Sequence, residues 1–347
     1  MTSDDPSLGS SAELECAPAG SQVRRELCRV LPLHSEEQPM TAKVHASPRL
    51  ARTRFSERWF GGLLALPAII SVLAIIVYPL GNSFVISFQK YDIFKRTLIF
   101  VGFNNYLKLF AEPMFLQSLK VTAIFGTSVL VLATILGLLF GLLLNETFPG
   151  RGFWRAILIL PWALPWVIIG LLWGWVVDAN FGALNGLLYE MGILSRYQPF
   201  LANDSWALFF TILGTVWRQA SLSGILFLAA LQAIPPDQYE AAKIDGAGMW
   251  DRFQYITLPW LRPTMLIASL INTLYGIMQF DVVFMMTQGG PGDATMLMSI
   301  FLYRKTFVSS DLGGGAAVAN VLALLALGLA LLFVRVLYRP QQAVEQA

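Results

Sequence analysis

The sequence has very few of the residues on which metal and redox chemistry depend. Its only cysteines, Cys16 and Cys28, and its only histidines, His34 and His45, all lie in the polar first sixty residues. Two cysteines cannot build a disulfide framework, and the spacing of these residues matches no standard zinc finger. The rest of the chain has no imidazole or thiolate for a haem, a metal or a proton relay. We predict no metal site, no cofactor and no catalytic residue.

Charge is also scarce. Only 13% of the 347 residues are charged and 56% are hydrophobic, whereas about a quarter of the residues of a soluble domain are charged. The mean hydropathy is +0.60. The net charge of +2 provides no basic field that would attract nucleic acid, so that class of partner is excluded. The composition therefore predicts a membrane protein.

Long apolar runs predict the number of spans. A spanning helix needs about 20 apolar residues, and its backbone polar groups must be satisfied internally. Two of the candidate runs each contain one charged residue, Arg218 and Asp281. The predicted fold class is therefore all-α, a polytopic protein with six transmembrane helices. The predicted spans are 60–80, 121–144, 156–177, about 206–230, about 264–286 and 313–334.

The positions of basic residues predict the orientation. Arginines are concentrated just before the first span, which favours both termini on the cytoplasmic side. Residues 1–55 are rich in Ser, Pro and charge and should form a disordered cytoplasmic tail, with Met40 as an alternative start. The six-helix domain should cover residues 56–340, and residues 341–347 should form a second cytoplasmic tail.

The segment 235–259, after the fourth predicted span, has strong local signals for structure. Asp237 followed three residues later by Glu240 has the form of a capping box, so a short helix should begin there. Gly246 and Gly248 permit the left-handed backbone conformation that ends a helix. The pattern predicts a helical loop on the cytoplasmic side.

A second short helix should cover about 249–257 and end at Leu258, because the residue before Pro259 is disfavoured in the α region. Ala241 and Ala242 lack bulk, so this face can approach a groove on another protein closely, and neighbouring acidic residues can pair with basic groups there. A loop that only seals the ends of two spans would fit the same pattern. The residues alone leave both interpretations open.

The spacing of small and acidic residues in this loop resembles a known motif. Glu240-Ala241-Ala242, then Gly246, Ile256 and Leu258-Pro259, looks like the complete EAA motif of the membrane subunits of binding-protein-dependent ABC importers. This resemblance implies a type I importer permease fold. It also implies that the loop docks a separate ATPase. The implied coupling residues are Glu240, Ala241, Ala242, Asp245 and Gly246.

The resemblance extends over about residues 60–338 and is most similar to the carbohydrate branch, the maltose and glycerol-phosphate type of permease. The matching stretches are 100–106, 160–162, 182–186 and 287–295. The sequence departs from the larger maltose-type subunit because the loop after the first span is short. The implied solute is an oligosaccharide, a sugar alcohol or a glycerol phosphate.

The resemblance also implies a solute pathway. Its candidate residues are Arg218, Gln219, Leu222, Asn272, Tyr275, Gly276 and Gln279. An aromatic ring beside amide groups suits a polyhydroxylated solute. The alternative is that these polar side chains only hydrogen-bond neighbouring helices. A pairing of Arg218 with Asp281 is disfavoured because Asp281 should lie near the outer surface.

The chain contains no G-x-x-x-x-G-K-[ST] motif, so ATP should be bound by partner subunits. The expected partners are a second homologous permease, two ABC ATPase subunits and an extracytoplasmic solute-binding protein, all at the inner membrane. One alternative is a secondary transporter that acts alone on an ion gradient, although Asp281 is the only carboxylate within a predicted span. The other is a membrane-bound transferase, although the acidic residues of the outer loops are scattered.

Overall fold

The structure is a computed structural model that describes residues 54–92 and 97–344, with the side chains of residues 63–91 and 97–336. The predicted N-terminal tail, with Met40 and both cysteines, lies outside the described residues. The chain divides into two units, Met1–Ala65 and Leu66–Ala347. Apart from the helix that begins at Arg54, every described helix and strand lies in the second unit.

The described chain is almost entirely helical, with one small hairpin. The strands β1 (Gln89–Asp92) and β2 (Thr97–Phe100) pair antiparallel, with Gln89 opposite Phe100. Helical turns of the π type occur at Leu73–Val77, Phe253–Thr257 and Arg304–Val308, and a short 3-10 turn at Phe200–Ala202. The α-helices are α1 Arg54–Val72, α2 Tyr78–Ile86, α3 Asn104–Ala111, α4 Pro113–Asn145, α5 Arg151–Ala163, α6 Trp166–Val176, α7 Ala183–Glu190, α8 Asp204–Gln232, α9 Pro236–Ile244, α10 Met249–Arg252, α11 Leu258–Ile277, α12 Asp281–Met286, α13 Met298–Tyr303 and α14 Leu312–Val344.

Four helices of the described residues are long and apolar enough to cross a membrane. They are Leu63–Ile86, Pro113–Asn145, Asp204–Gln232 and Leu312–Val336. They correspond to the first, second, fourth and sixth predicted spans. The predicted fifth span, about 264–286, is displaced in the structure: α11 begins at Leu258 and ends at Ile277, and Asp281 lies in the separate helix α12. The total of six spans stays a prediction.

The predicted third span is broken rather than continuous. Helices α5 and α6 meet at an angle of 102°, with Leu164 and Pro165 between them. Leu164 has an extended backbone, with ψ of 140°. Proline disfavours the α conformation in the residue that precedes it, so Pro165 accounts for the break. The expectation of one helix over 156–177 was therefore wrong.

Glycines bring the central helices α4, α8 and α11 into close contact. A Cβ atom on Gly137 would overlap Ser223 and lie 3.0 Å from the backbone nitrogen of Gly224. A Cβ atom on Gly276 would lie 2.9 Å from the Cα atom of Gly126. Small residues at such contacts let helix backbones approach closely. Because lipid is as apolar as the helices themselves, the helices associate through this close van der Waals packing and not through the hydrophobic effect. The close packing of these three helices therefore requires glycine at these positions.

A second set of contacts joins the hairpin, α3 and α14. The Asn105 amide donates to the carbonyl oxygens of Ser87 at 2.7 Å and Gln89 at 2.9 Å. The Tyr106 hydroxyl donates to the Ser87 hydroxyl at 2.8 Å and accepts from the Asn320 amide at 3.1 Å. The stretch 100–106, which carries part of the family resemblance, thus ties the end of the first span to the last helix.

Candidate functional site

The helical loop after α8 begins one residue earlier than predicted. Helix α9 starts at Pro236, with Pro235 as its N-cap and no side-chain cap. The predicted capping box at Asp237 was wrong because proline at the first helical position needs no N–H donor and already has a helical φ. Helix α9 ends at Ile244, and Gly246 beyond its C-cap adopts the predicted left-handed conformation, with φ of +80°. The N–H of Ala247 then donates to the Ala242 carbonyl at 2.9 Å, which closes the helix.

The second helix of the loop does not end where the sequence predicted. Gly248 is extended rather than left-handed, with φ of −67°, and caps α10 by donating its N–H to the Asp251 carboxylate at 3.0 Å. The helical path then continues through the π-type turn into α11, without a stop before Pro259. The N–H of Leu258 donates to the Phe253 carbonyl, five residues back. Pro259 is the second residue of α11 and directly follows this π-type turn, so the proline does not end the helical path.

The two arms of the loop are joined to each other and exposed to their surroundings. The hydroxyls of Tyr239 and Thr257 lie 2.9 Å apart. Ile244, Met249 and Trp250 are 86%, 82% and 70% exposed. Exposed apolar clusters beside charged residues are typical of interaction surfaces. Of the predicted coupling residues, Glu240, Ala241, Asp245 and Gly246 are exposed and Ala242 is half-buried.

A cationic and aromatic cluster lies where the third span breaks. The guanidinium carbon of Arg218 lies 4.0 Å from the ring centroid of Trp166. The Arg218 Nε donates to the Leu164 carbonyl oxygen at 3.2 Å. The ring centroid of Trp166 lies 5.7 Å from that of Tyr275. Tyr275 is 44% exposed and Arg218 is half-buried, so one side of the cluster is open.

Gln219 and Asn272 lie beside this cluster but are completely buried. The Gln219 amide donates to the Asn272 side-chain oxygen at 3.3 Å. The Asn272 amide donates to the hydroxyls of Thr134 at 3.1 Å and Ser223 at 3.0 Å. These bonds cross between α4, α8 and α11, so the geometry favours the alternative that these residues hydrogen-bond neighbouring helices.

The remaining predicted pathway residues fall in different surroundings. Gly276 packs against Gly126, and Leu222 is half-buried. Gln279 is buried just after α11, and its side-chain nitrogen has no hydrogen-bond partner among the described residues. Of the seven predicted residues, the structure thus brings Arg218 and Tyr275 together at an open face.

The ion pairs agree with the prediction that Arg218 and Asp281 lie too far apart. Among the described side chains, the salt bridges join Arg304 to Asp293 and Lys305 to Glu112. Arg218 is instead bound to a backbone carbonyl and an aromatic ring. The sequence interpretation overlooked Leu164 and Trp166. The available signal was Pro165 within an apolar run, which predicts a break and hence a free carbonyl.

Long apolar helices, a broken span and an exposed helical loop define a multi-pass membrane permease. The family of binding-protein-dependent transport system inner membrane components matches residues 133–343. The chain belongs to this family, as the loop motif predicted. It is a transport subunit and not an enzyme.

Relatives cover most of the chain. It is 35% identical over 286 residues to the trehalose/maltose transport system permease protein of Thermococcus litoralis, which covers 82% of this chain and 96% of that protein. It is 33% identical to the sulfoquinovosyl glycerol permease protein of Agrobacterium fabrum, over 81% of this chain and 91% of that protein. It is 32% identical to the sn-glycerol-3-phosphate permease protein of Yersinia pestis, over 83% of this chain and 97% of that protein.

The fold is also similar to a solved one. A chain of a bacterial ABC transporter that imports the acidic polysaccharide alginate superposes with a TM-score of 0.71 at 24% identity. The match covers 82% of this chain and 97% of that chain. The predicted type I importer permease fold is therefore confirmed.

Proposed function

We propose that this chain forms one half of the translocation pathway of an ATP-driven importer for sugars or related solutes, and that it docks an ATPase through the loop 235–259. The observation that carries the docking is the exposure of Ile244, Met249 and Trp250 on a loop whose two arms are joined to each other. An apolar cluster of this kind gains stability when a partner covers it. Glu240 and Asp245, also exposed, are available for basic residues of that partner.

The orientation follows from this role. The loop lies on the cytoplasmic side with the ATPases, and both termini lie on the same side. The chain has no phosphate-binding motif of its own, so the partner ATPases bind the nucleotide. Their closure on ATP moves the docked loop and rocks the bundle between inward-facing and outward-facing states.

A second, homologous permease completes the pathway as a heterodimer. Residues 66–82 of the first span are exposed along their whole length, which leaves an apolar surface for the second subunit and lipid. The open face of the Arg218, Trp166 and Tyr275 cluster supports the same arrangement, because it would line a pathway closed by the other half. An extracytoplasmic binding protein delivers the solute to the opposite end.

The solute class is an oligosaccharide, a sugar alcohol or a glycerol phosphate. Relatives are named for trehalose/maltose, sulfoquinovosyl glycerol and sn-glycerol-3-phosphate. The rings of Trp166 and Tyr275 offer flat apolar surfaces for the apolar faces of a sugar ring.

Reconstitution tests the function as a whole. We expect proteoliposomes that contain this chain, the second permease, the ATPases and the binding protein to accumulate a labelled sugar only with ATP inside. Vesicles that hold this chain alone should accumulate none, since the chain has no nucleotide site. Uptake by the chain alone on a sodium or proton gradient would instead establish the secondary transporter.

Replacement of the exposed ring tests the pathway. We expect Tyr275→Ala to lower the uptake rate by about tenfold, as expected for the loss of one aromatic contact worth about 1.4 kcal/mol. Leu324→Ala is the matched control, because Leu324 is an apolar side chain, 67% exposed, on another spanning helix. Labelled uptake in the reconstituted complex measures both. Equal uptake rates for the two variants would show that Tyr275 does not line the solute pathway.

A further inference from the structure

The break in the third span creates a backbone carbonyl that needs a donor. In a continuous helix the Leu164 carbonyl would accept the N–H of residue 168. The extended backbone of Leu164 prevents this, and the first intrahelical bond after the break runs from Ile169 to Pro165. An unsatisfied carbonyl among apolar helices costs several kcal/mol. A donor from another part of the chain would therefore stabilise the break.

Arg218 supplies that donor from a neighbouring helix. Its Nε bonds to the Leu164 carbonyl at 3.2 Å, although the two residues are 54 positions apart in the sequence. Leu164 is the C-cap of α5, where the helix dipole presents negative partial charge that favours a cation. The guanidinium also lies over Trp166, the first residue of α6. One side chain therefore contacts both sides of the break.

The geometry suits arginine better than lysine. A guanidinium is planar, so it can lie over a ring and donate from its edge at once. A lysine ammonium can reach the carbonyl, but it cannot stack flat on the indole. Since Trp166 packs next to Tyr275, the position of Arg218 also determines where this aromatic pair lies.

We propose that Arg218 is a positioning residue, which holds the break between α5 and α6 and so places the Trp166 and Tyr275 rings. Its significance for transport rests on the proposed function, because those rings matter only if they line the solute pathway. The effect on the bend does not depend on transport. Arg218 acts through the backbone of α5 and the face of Trp166, and not by selecting the charge of the solute.

A distance measurement across the break tests this proposal. Spin labels at Gly152→Cys and Trp175→Cys report the bend, with Cys16 and Cys28 replaced by serine. A Cβ at Gly152 meets nothing within 4 Å, and Trp175 is 55% exposed, so both sites accept a label. With a rise of 1.5 Å per residue, a bend of 102° places the labelled backbone positions about 22 Å apart, against about 35 Å in a straight helix.

Double electron–electron resonance on the complete transporter in lipid nanodiscs, without ATP or solute, measures the distance between the two labels. We expect Arg218→Met to shift the main distance from about 22 Å toward about 35 Å. Arg218→Lys should keep the shorter distance with a broader distribution, because the carbonyl retains a donor. An unchanged distance in Arg218→Met would overturn the proposal. Altered solute uptake at that unchanged distance would indicate direct solute contact instead.

A second variant covers the case in which Arg218→Met fails to assemble. In Pro165→Ala, Leu164 is free to adopt the α conformation and its carbonyl can be satisfied within the helix. We expect this variant to lengthen the distance with Arg218 present, and we expect Arg218→Lys to add none of its broadening of the distance distribution in that background. Effects that simply add would show that the two residues act independently and would overturn the proposal. Failure of the transport proposal would appear separately, as absence of ATP-driven uptake in the wild type.

Discussion

Gly246→Val should abolish ATP-driven uptake, while Gly150→Val should leave it near the wild-type rate. The two glycines are matched, with φ of +80° and +81° and nothing within 4 Å of an added Cβ atom. A side chain in the left-handed region costs about 1–2 kcal/mol at either position. Gly246 alone ends α9 and sets the angle at which Ile244 and Met249 are presented. We expect at least about a hundredfold fall in uptake, because a misplaced docking surface loses its central contacts.

Labelled sugar uptake by the reconstituted complex measures this effect, and trypsin sensitivity of the inserted chain confirms that both variants reach the membrane. A charge reversal gives an independent check on the same surface. Glu240→Lys should lower uptake strongly, whereas Glu190→Lys, an exposed acid at the end of α7, should not. If Gly246→Val and Gly150→Val transport equally well, the loop does not dock the ATPase.

The second large effect concerns helix packing. Gly137→Leu should prevent assembly of the bundle, because any Cβ atom there would overlap Ser223 and press on the backbone of α8. The neighbouring atoms belong to a short side chain and to backbone, so neither can move aside without separating the helices. Overpacking costs about 1–3 kcal/mol per site and more where backbone must move. We expect the loss of most monodisperse protein after detergent extraction, measured by fluorescence-detected size exclusion.

Gly328→Leu is the matched control for this prediction. Gly328 also lies in an apolar spanning helix, but a Cβ atom there meets nothing within 4 Å. It should therefore behave as the wild type in extraction and thermal stability. A Gly137→Leu protein that extracts and melts like Gly328→Leu would mean that α4 and α8 are not packed as the structure has them.

The four long spans could be predicted from the sequence because their signals are local. For the four long spans, most of the ends that hydropathy predicted lie within a few residues of the observed ends. Gly246 marked the end of α9. The errors also have local causes. Proline was interpreted as a stop at Pro259, where the helical path continues from a π-type turn into α11, and was overlooked at Pro165, where it breaks a span. The same residue type has opposite effects according to its position in a helix.

The candidate site depended much more on tertiary contacts between helices. The family resemblance predicted Gln219, on α8, and Asn272, on α11, as pathway residues. The structure places them in a buried network with Thr134 and Ser223. A match of sequence positions does not indicate which neighbouring helix covers a given side chain.

The sequence by itself determined that this chain belongs in a membrane and has a helical loop with the family motif, because burial in lipid and turn formation depend on neighbouring residues. Only the tertiary structure decided the partner of Arg218. Its acceptor, the Leu164 carbonyl, is 54 residues away and is free to accept a hydrogen bond because the third span is broken there. Asn272 and Thr134 are separated by 138 residues. Such partners are chosen by the packing of helices against one another, which local propensity does not encode.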